Sequence, residues 1–156
     1  MNDISFGMLK LFPVKSRPYG LTYEQWSKKW WSWLLNIPIQ NSPVYDETGR
    51  NAHWGQDDPN VFFLCQTYGQ SNSNPTRRIL IHRGKSLFMP LINWISITPE
   101  DGLTDSELIS KAQSKMNSIR DLRMIVNGYE FTADLCQYRV QSKPFCVDLQ
   151  KDNILA

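Results

Sequence analysis

The chain is poor in the residues that most often carry metal and nucleophile chemistry. It has two histidines, His53 and His82, and three cysteines, Cys65, Cys136 and Cys146. No His-x-His, His-x-x-x-His or Cys-x-x-Cys spacing occurs, so no metal ligand set is legible and neither metal nor cofactor is expected. G-x-S-x-G is missing, which removes the strained serine turn of an α/β-hydrolase. Gly84-Lys85-Ser86 ends like a phosphate loop, but the earlier glycine would fall at Ile79 and the cradle fails. No apolar run approaches the ~18 residues that cross a bilayer. An excess of one charge is missing too: 17 Lys+Arg face 15 Asp+Glu. That balance gives no bulk field for nucleic acid or an anionic membrane, and neither is expected as a partner. Met1 to Pro13 holds Asp3 and Lys10 and lacks the apolar core of a signal peptide. The expected compartment is therefore the cytoplasm. There an odd cysteine count fits free thiols better than a disulfide framework.

What the chain does have is aromatic surface. Six of its 156 residues are tryptophan, and 12% are aromatic. With 41% hydrophobic and 21% charged residues it is too apolar for a disordered chain. The length suits a single domain over residues 1–156, with an N-terminal extension at 1–18 and a core at 19–156.

Two helices are legible. Thr22 and Gln25 fit a capping box, and Trp26, Trp30, Trp33 and Ile37 follow at helical spacing until Pro38 stops the run. Trp31 and Leu35 lie well off that stripe, so this helix is apolar on more than one side. Thr104 and Glu107 form a second capping box, ahead of an apolar face through Leu108, Ala112, Met116 and Ile119.

Elsewhere strand signals dominate: Val61–Tyr68, Arg78–His82, Leu87–Ile97, Tyr138–Val140 and Phe145–Leu149, with Gly69–Pro75 as a polar turn. Asn127-Gly128 between β-prone runs is a type I′ hairpin signature. The expected fold class is α+β, an antiparallel β-sandwich or half-barrel with two packed helices.

Several motifs, taken in order, carry a resemblance. They are Tyr19-Gly20-Leu21-Thr22-Tyr23-Glu24-Gln25-Trp26, Trp30-Trp31-Ser32-Trp33, Asp46-Glu47-Thr48-Gly49, Gly84-Lys85-Ser86-Leu87-Phe88-Met89-Pro90-Leu91-Ile92-Asn93 and Tyr138-Arg139-Val140. Together they resemble a family of small, mostly uncharacterised microbial proteins, many of them exported. The resemblance implies a compact, strand-rich domain and brings no activity. A cysteine pair carried by such relatives would fall at Ala52 and Ile79, and a proline at His82. Their final Gly/Pro-rich hairpin, past Asn153, has no counterpart here.

Three functions follow as expectations. The first is a binding domain for a small, carbohydrate-like ligand in an aromatic pocket of Trp31, Trp54, Gln56, Arg78 and Asn93. Tryptophan faces and a few polar groups suit such a ligand. Trp26, Trp30 and Trp33 are expected in the core, because they share one helix face. The second is a small hydrolase of esters or lactones. His53 would be its general base, oriented by Glu24 or Asp46, with Arg78 or Asn93 at the oxyanion. The third is a structural or partner-dependent subunit, a homo-oligomer joined through a free sheet edge.

Overall fold

The computed structural model describes residues 10–68, 75–131 and 134–155. Helix α1 spans Tyr23–Leu35 and starts as its sequence requires. Thr22 Oγ1 accepts from the Gln25 N–H at 3.2 Å, and Gln25 Oε1 accepts from the Thr22 N–H at 2.9 Å. These reciprocal bonds satisfy two donors that a helix start otherwise leaves unpaired. At the other end Asn36 caps the helix and Pro38 follows. Trp26, Trp30, Trp31, Trp33, Leu34 and Leu35 are all buried, which leaves little of α1 facing water.

Burying an indole also buries its N–H, so a partner must be found. Trp26 Nε1 donates to the Pro18 carbonyl at 3.0 Å, Trp30 Nε1 to Leu64 at 2.8 Å and Trp33 Nε1 to Trp54 at 2.8 Å. Each bond ties α1 to a different stretch of chain. Trp30 and Trp31 meet edge to face at 4.9 Å, and Phe63 stands 5.5 Å from Trp33. Ile37, Val44, Val61 and Cys65 complete the core, with Phe145, Val147, Ile154 and Leu155 packed against it.

Strand β1 (Val61–Phe63) pairs in parallel with β2 (Ser86–Phe88), in register Val61↔Ser86. Helix α2 spans Asp105–Met116 behind its own Thr104/Glu107 capping box. Strands β3 (Ile125–Val126) and β4 (Tyr129–Glu130) form the expected hairpin. Asn127 and Gly128 both take positive φ, 52° and 79°, as a type I′ turn demands.

The expected β-sandwich or half-barrel is not the fold. Among the described residues there are two separate two-stranded sheets, neither closed, and no strand exceeds three residues. Arg78–His82 and most of Leu87–Ile97 form no ladder, and Pro90 supplies no N–H for one. Tyr138 ends a 3₁₀ turn at Leu135–Tyr138, and Phe145 and Val147 are spent on the core of α1. An apolar run is a strand only where a neighbour offers a ladder, and here these runs lie against helices and side chains. Most of the expected Gly69–Pro75 turn lies outside the described residues. Cys136 and Cys146 are both exposed and free.

The indole bonds set a test of the core. Trp30→Ala should cost about 3–5 kcal/mol. Trp30→Phe, which keeps a ring but orphans the Leu64 carbonyl, should cost about 1–3 kcal/mol. Trp54→Ala, at a side chain 49% exposed, should cost under about 1 kcal/mol. Urea unfolding of the three variants checks the order.

Candidate functional site

In the loop between α1 and β1, Asp46 and Gln56 are occupied in holding the loop together. Asp46 Oδ1 accepts from the Thr48 N–H at 2.8 Å and its hydroxyl at 2.6 Å, and Oδ2 accepts from the Asn51 N–H at 2.8 Å. Burial alone would raise this carboxyl, but those bonds outweigh it and hold it below the ordinary value. Gln56 is a bracket. Its Nε2 donates to the Ala52 and Phe63 carbonyls, each at 2.8 Å, and its Oε1 accepts from the Phe63 N–H at 2.9 Å. Arg78 is exposed, and its backbone N–H donates to the Thr48 carbonyl at 3.0 Å. Gly49 sits under that contact with φ 94°, where a Cβ would fall 2.6 Å from the Arg78 carbonyl oxygen.

His53 closes the 3₁₀ turn Arg50–His53, exposed, with its ring edge-on to Phe62 at 5.4 Å. Glu24 lies in the first turn of α1, where it accepts from the Lys143 N–H at 3.1 Å and stands 3.9 Å from Lys28. Among the described residues no hydrogen bond or ion pair joins His53 to Glu24 or to Asp46. A general base with an orienting carboxylate is therefore not assembled here.

Asp58, three residues before β1, is a second enclosed acid. Its side chain is 8% exposed and pairs with Lys29 at 2.7 Å. Its Oδ1 accepts from the Asn60 and Val61 N–H groups, each at 3.0 Å. Burial pushes this carboxyl up; the Lys29 bond and the two backbone bonds together bring it below the ordinary value. Lys29 in turn stands 4.9 Å from the Trp26 ring centroid. Arg77 donates to the Pro43 carbonyl at 3.1 Å and to the Cys65 carbonyl, another bracket across the core. Burial pushes the Cys65 thiol up, and Arg77 only partly opposes it, which suits an inert thiol.

The large concavity lies elsewhere. A cleft of about 1290 Å³ opens between the tryptophan face of α1 and the apolar face of α2. Tyr23, Trp30 and Trp31 come from α1, and Leu108, Ala112 and Met116 from α2. The Leu87–Ile97 run forms one wall between them. Tyr23 donates to the Phe12 carbonyl at 2.9 Å. Burial, with Tyr138 adding, pushes its hydroxyl up to about 12, so Tyr23 stays neutral there. Asn93 Nδ2 and Ser96 Oγ, from lining residues, are buried with no hydrogen-bond partner among the described residues.

The structure therefore divides the expected pocket. Trp31 and Asn93 come to the cleft; Trp54, Gln56 and Arg78 are not among its walls. Trp31 is also a core residue, 6% exposed, so little of its ring is open to the cleft. Sequence reasoning missed α2 and the His82–Lys85 turn as wall. The available signal was an amphipathic helix with no partner face assigned to it.

No family model, curated protein or solved structure matches the chain, and the motif resemblance gains no support from these comparisons. Among the described residues, no helix is long and apolar enough to cross a membrane. Nor do three His, Cys, Asp or Glu side chains gather there as a metal ligand set.

The two depressed carboxyls make stability depend on acid. Their contribution is fully present above the unfolded aspartate value of about 3.9 and is lost as pH falls through the lower folded values. The urea midpoint should therefore fall more steeply below about pH 4 in the wild type than in an Asp46→Asn/Asp58→Asn double variant. Parallel curves for the two proteins would show that neither carboxylate is held as described.

Proposed function

We propose that the protein is a non-enzymatic binding domain whose ligand is a largely apolar small molecule held between α1 and α2. One observation carries this reading. The apolar stripe of α2 lines the cleft, yet no residue of α2 is buried. A helix that brings Leu108, Ile109, Ala112 and Met116 to one side and leaves all four only half-buried has a face ready for a ligand. The cleft exceeds the ~300–1,000 Å³ of ordinary small-molecule sites, so a large or extended ligand suits it.

The wall chemistry favours an apolar ligand over the carbohydrate-like one expected from the tryptophan surplus. A sugar needs a ring of polar partners, and this wall is built mainly from aromatic and aliphatic side chains. The hydrolase reading is not carried further, because His53 has neither proposed orienter beside it. A cytoplasmic setting is supported by the three unpaired thiols Cys65, Cys136 and Cys146.

A neutral fluorescent naphthylamine is the test probe. It should bind saturably and quench tryptophan emission, since Trp26, Trp30, Trp31 and Trp94 line the cleft. Ala112→Trp should obstruct the α2 side of the cleft and weaken binding at least about tenfold, with the urea midpoint little changed. Absence of saturable binding by folded protein, or equal binding by the variant, would remove the cleft as the site.

A further inference from the structure

We infer that the ligand of the cleft is an amphipathic anion, an apolar chain carrying one anionic head group, with the head seated at the His82–Lys85 turn. This inference rests on the apolar-cleft reading and specifies its ligand class.

The first ground is the sign of the charges. Over the whole chain, bases and acids are nearly equal, 17 against 15. Around the cleft they are not. Its lining holds Lys10, Arg83, Lys85 and Arg139, with His82, and neither an aspartate nor a glutamate. A low-dielectric wall bearing charge of one sign focuses its field into the space it encloses. A neutral apolar ligand gains nothing from that field, and an anionic head gains beside Arg83 and Lys85, the two cations that one turn places together.

The second ground is which cation is free. Arg139 already donates to Asn117 Oδ1 at 3.2 Å. Lys85 donates to the Asp58 backbone carbonyl. The Asp58 carboxylate does not neutralise Lys85, because it is taken up by Lys29 and the Asn60 and Val61 N–H groups. Among the described residues, no hydrogen bond or ion pair engages the exposed Lys10 ammonium or the exposed Arg83 guanidinium, and of these two only Arg83 lies in the His82–Lys85 turn. A planar guanidinium presents paired donors that match a carboxylate or phosphate.

The third ground is position. The Lys85 N–H donates to the His82 carbonyl at 3.3 Å, and Gly84 takes φ 91°, so the four residues form a tight turn. The chain then enters β2, where Ser86 Oγ shares a 2.8 Å hydrogen bond with the Tyr19 hydroxyl. The turn is solvent-facing at Arg83, while Phe88 beyond it packs on the core of α1. A ligand lying along this segment would keep its head in water beside Arg83 and its chain against the aromatic wall.

The experiment compares cis-parinaric acid with its methyl ester, as monomers, at neutral pH. The acid should bind at least about tenfold more tightly at low salt, and the gap should narrow near 0.5 M salt, where the screening length falls to several Å or less. Arg83→Gln should remove most of the acid's advantage and leave ester binding alone, and Arg83→Lys should restore part of it. Equal affinity for acid and ester overturns the anionic head while leaving the apolar cleft standing. An unchanged preference in Arg83→Gln overturns the seat at the turn. Failure of both probes overturns the cleft reading itself. Association with phosphatidylglycerol vesicles, without binding of the monomeric acid, would assign the cations to a lipid surface and overturn the proposal.

Discussion

The structure depends on the need of each buried indole to place its N–H. A tryptophan helix could bury its rings against any apolar surface. The hydrogen bonds are more demanding, because each needs a carbonyl at a fixed point. Pro18, Leu64 and Trp54 supply those carbonyls from the segment before α1, the chain after β1 and the long loop between them. That requirement draws three separate stretches of sequence around one helix. It also explains why the loop is so heavily braced. If Trp54 drifted, Trp33 would lose its acceptor. Asp46, Gln56 and Gly49 hold the backbone that keeps it in place.

The rest of the chain lives under a different constraint. Beyond Cys65, the described residues that reach full burial are few: Leu135 and Asn153 among them. Phe88, Ile95, Phe145 and Val147 lean on the tryptophan core rather than forming one of their own. The second half is thus a partial shell around the first. A shell that does not close leaves a cleft, and the walls of this one are the faces that would otherwise have been core. Exposed apolar residues such as Leu87, Met89, Ile92 and Trp94 follow from the same geometry. Their exposure is a property of the open cleft they line.

What was legible in the sequence was local. Both capping boxes and the Asn127-Gly128 hairpin are set by residues within one turn of each other, and all three form as expected. The core role of Trp26, Trp30 and Trp33 followed from helical spacing. The β-sandwich failed because strand formation is a relation between distant segments. Leu87–Ile97 is apolar enough for a strand, but only Leu87 and Phe88 of it join a ladder. The expected aromatic pocket failed by half for the same reason. Trp31 and Asn93 both line the cleft, whereas Gln56 is claimed by Phe63, seven residues on. Nothing in the spelling of Trp54-Gly55-Gln56 distinguishes a polar side chain offered to a ligand from one folded back on its own loop.

Charge shows the same lesson in its sharpest form. A near-zero net charge argued against a bulk field for nucleic acid or an anionic membrane, and that argument is sound for a field averaged over the molecule. It says nothing about segregation within it. Several acids of this chain are drawn off to structural duties: Asp46 and Asp58 to backbone N–H groups, Glu107 to the start of α2, Glu130 to Arg123. Glu24 holds the Lys143 backbone. Carboxylates are the residues best suited to accept from unpaired N–H groups, so a loop-rich chain consumes them wherever its backbone turns. Cations are less able to do this work, and some are left over. In this fold Lys10, Arg83, Lys85 and Arg139 line the cleft and no aspartate or glutamate does, so a balanced sequence yields an unbalanced cleft.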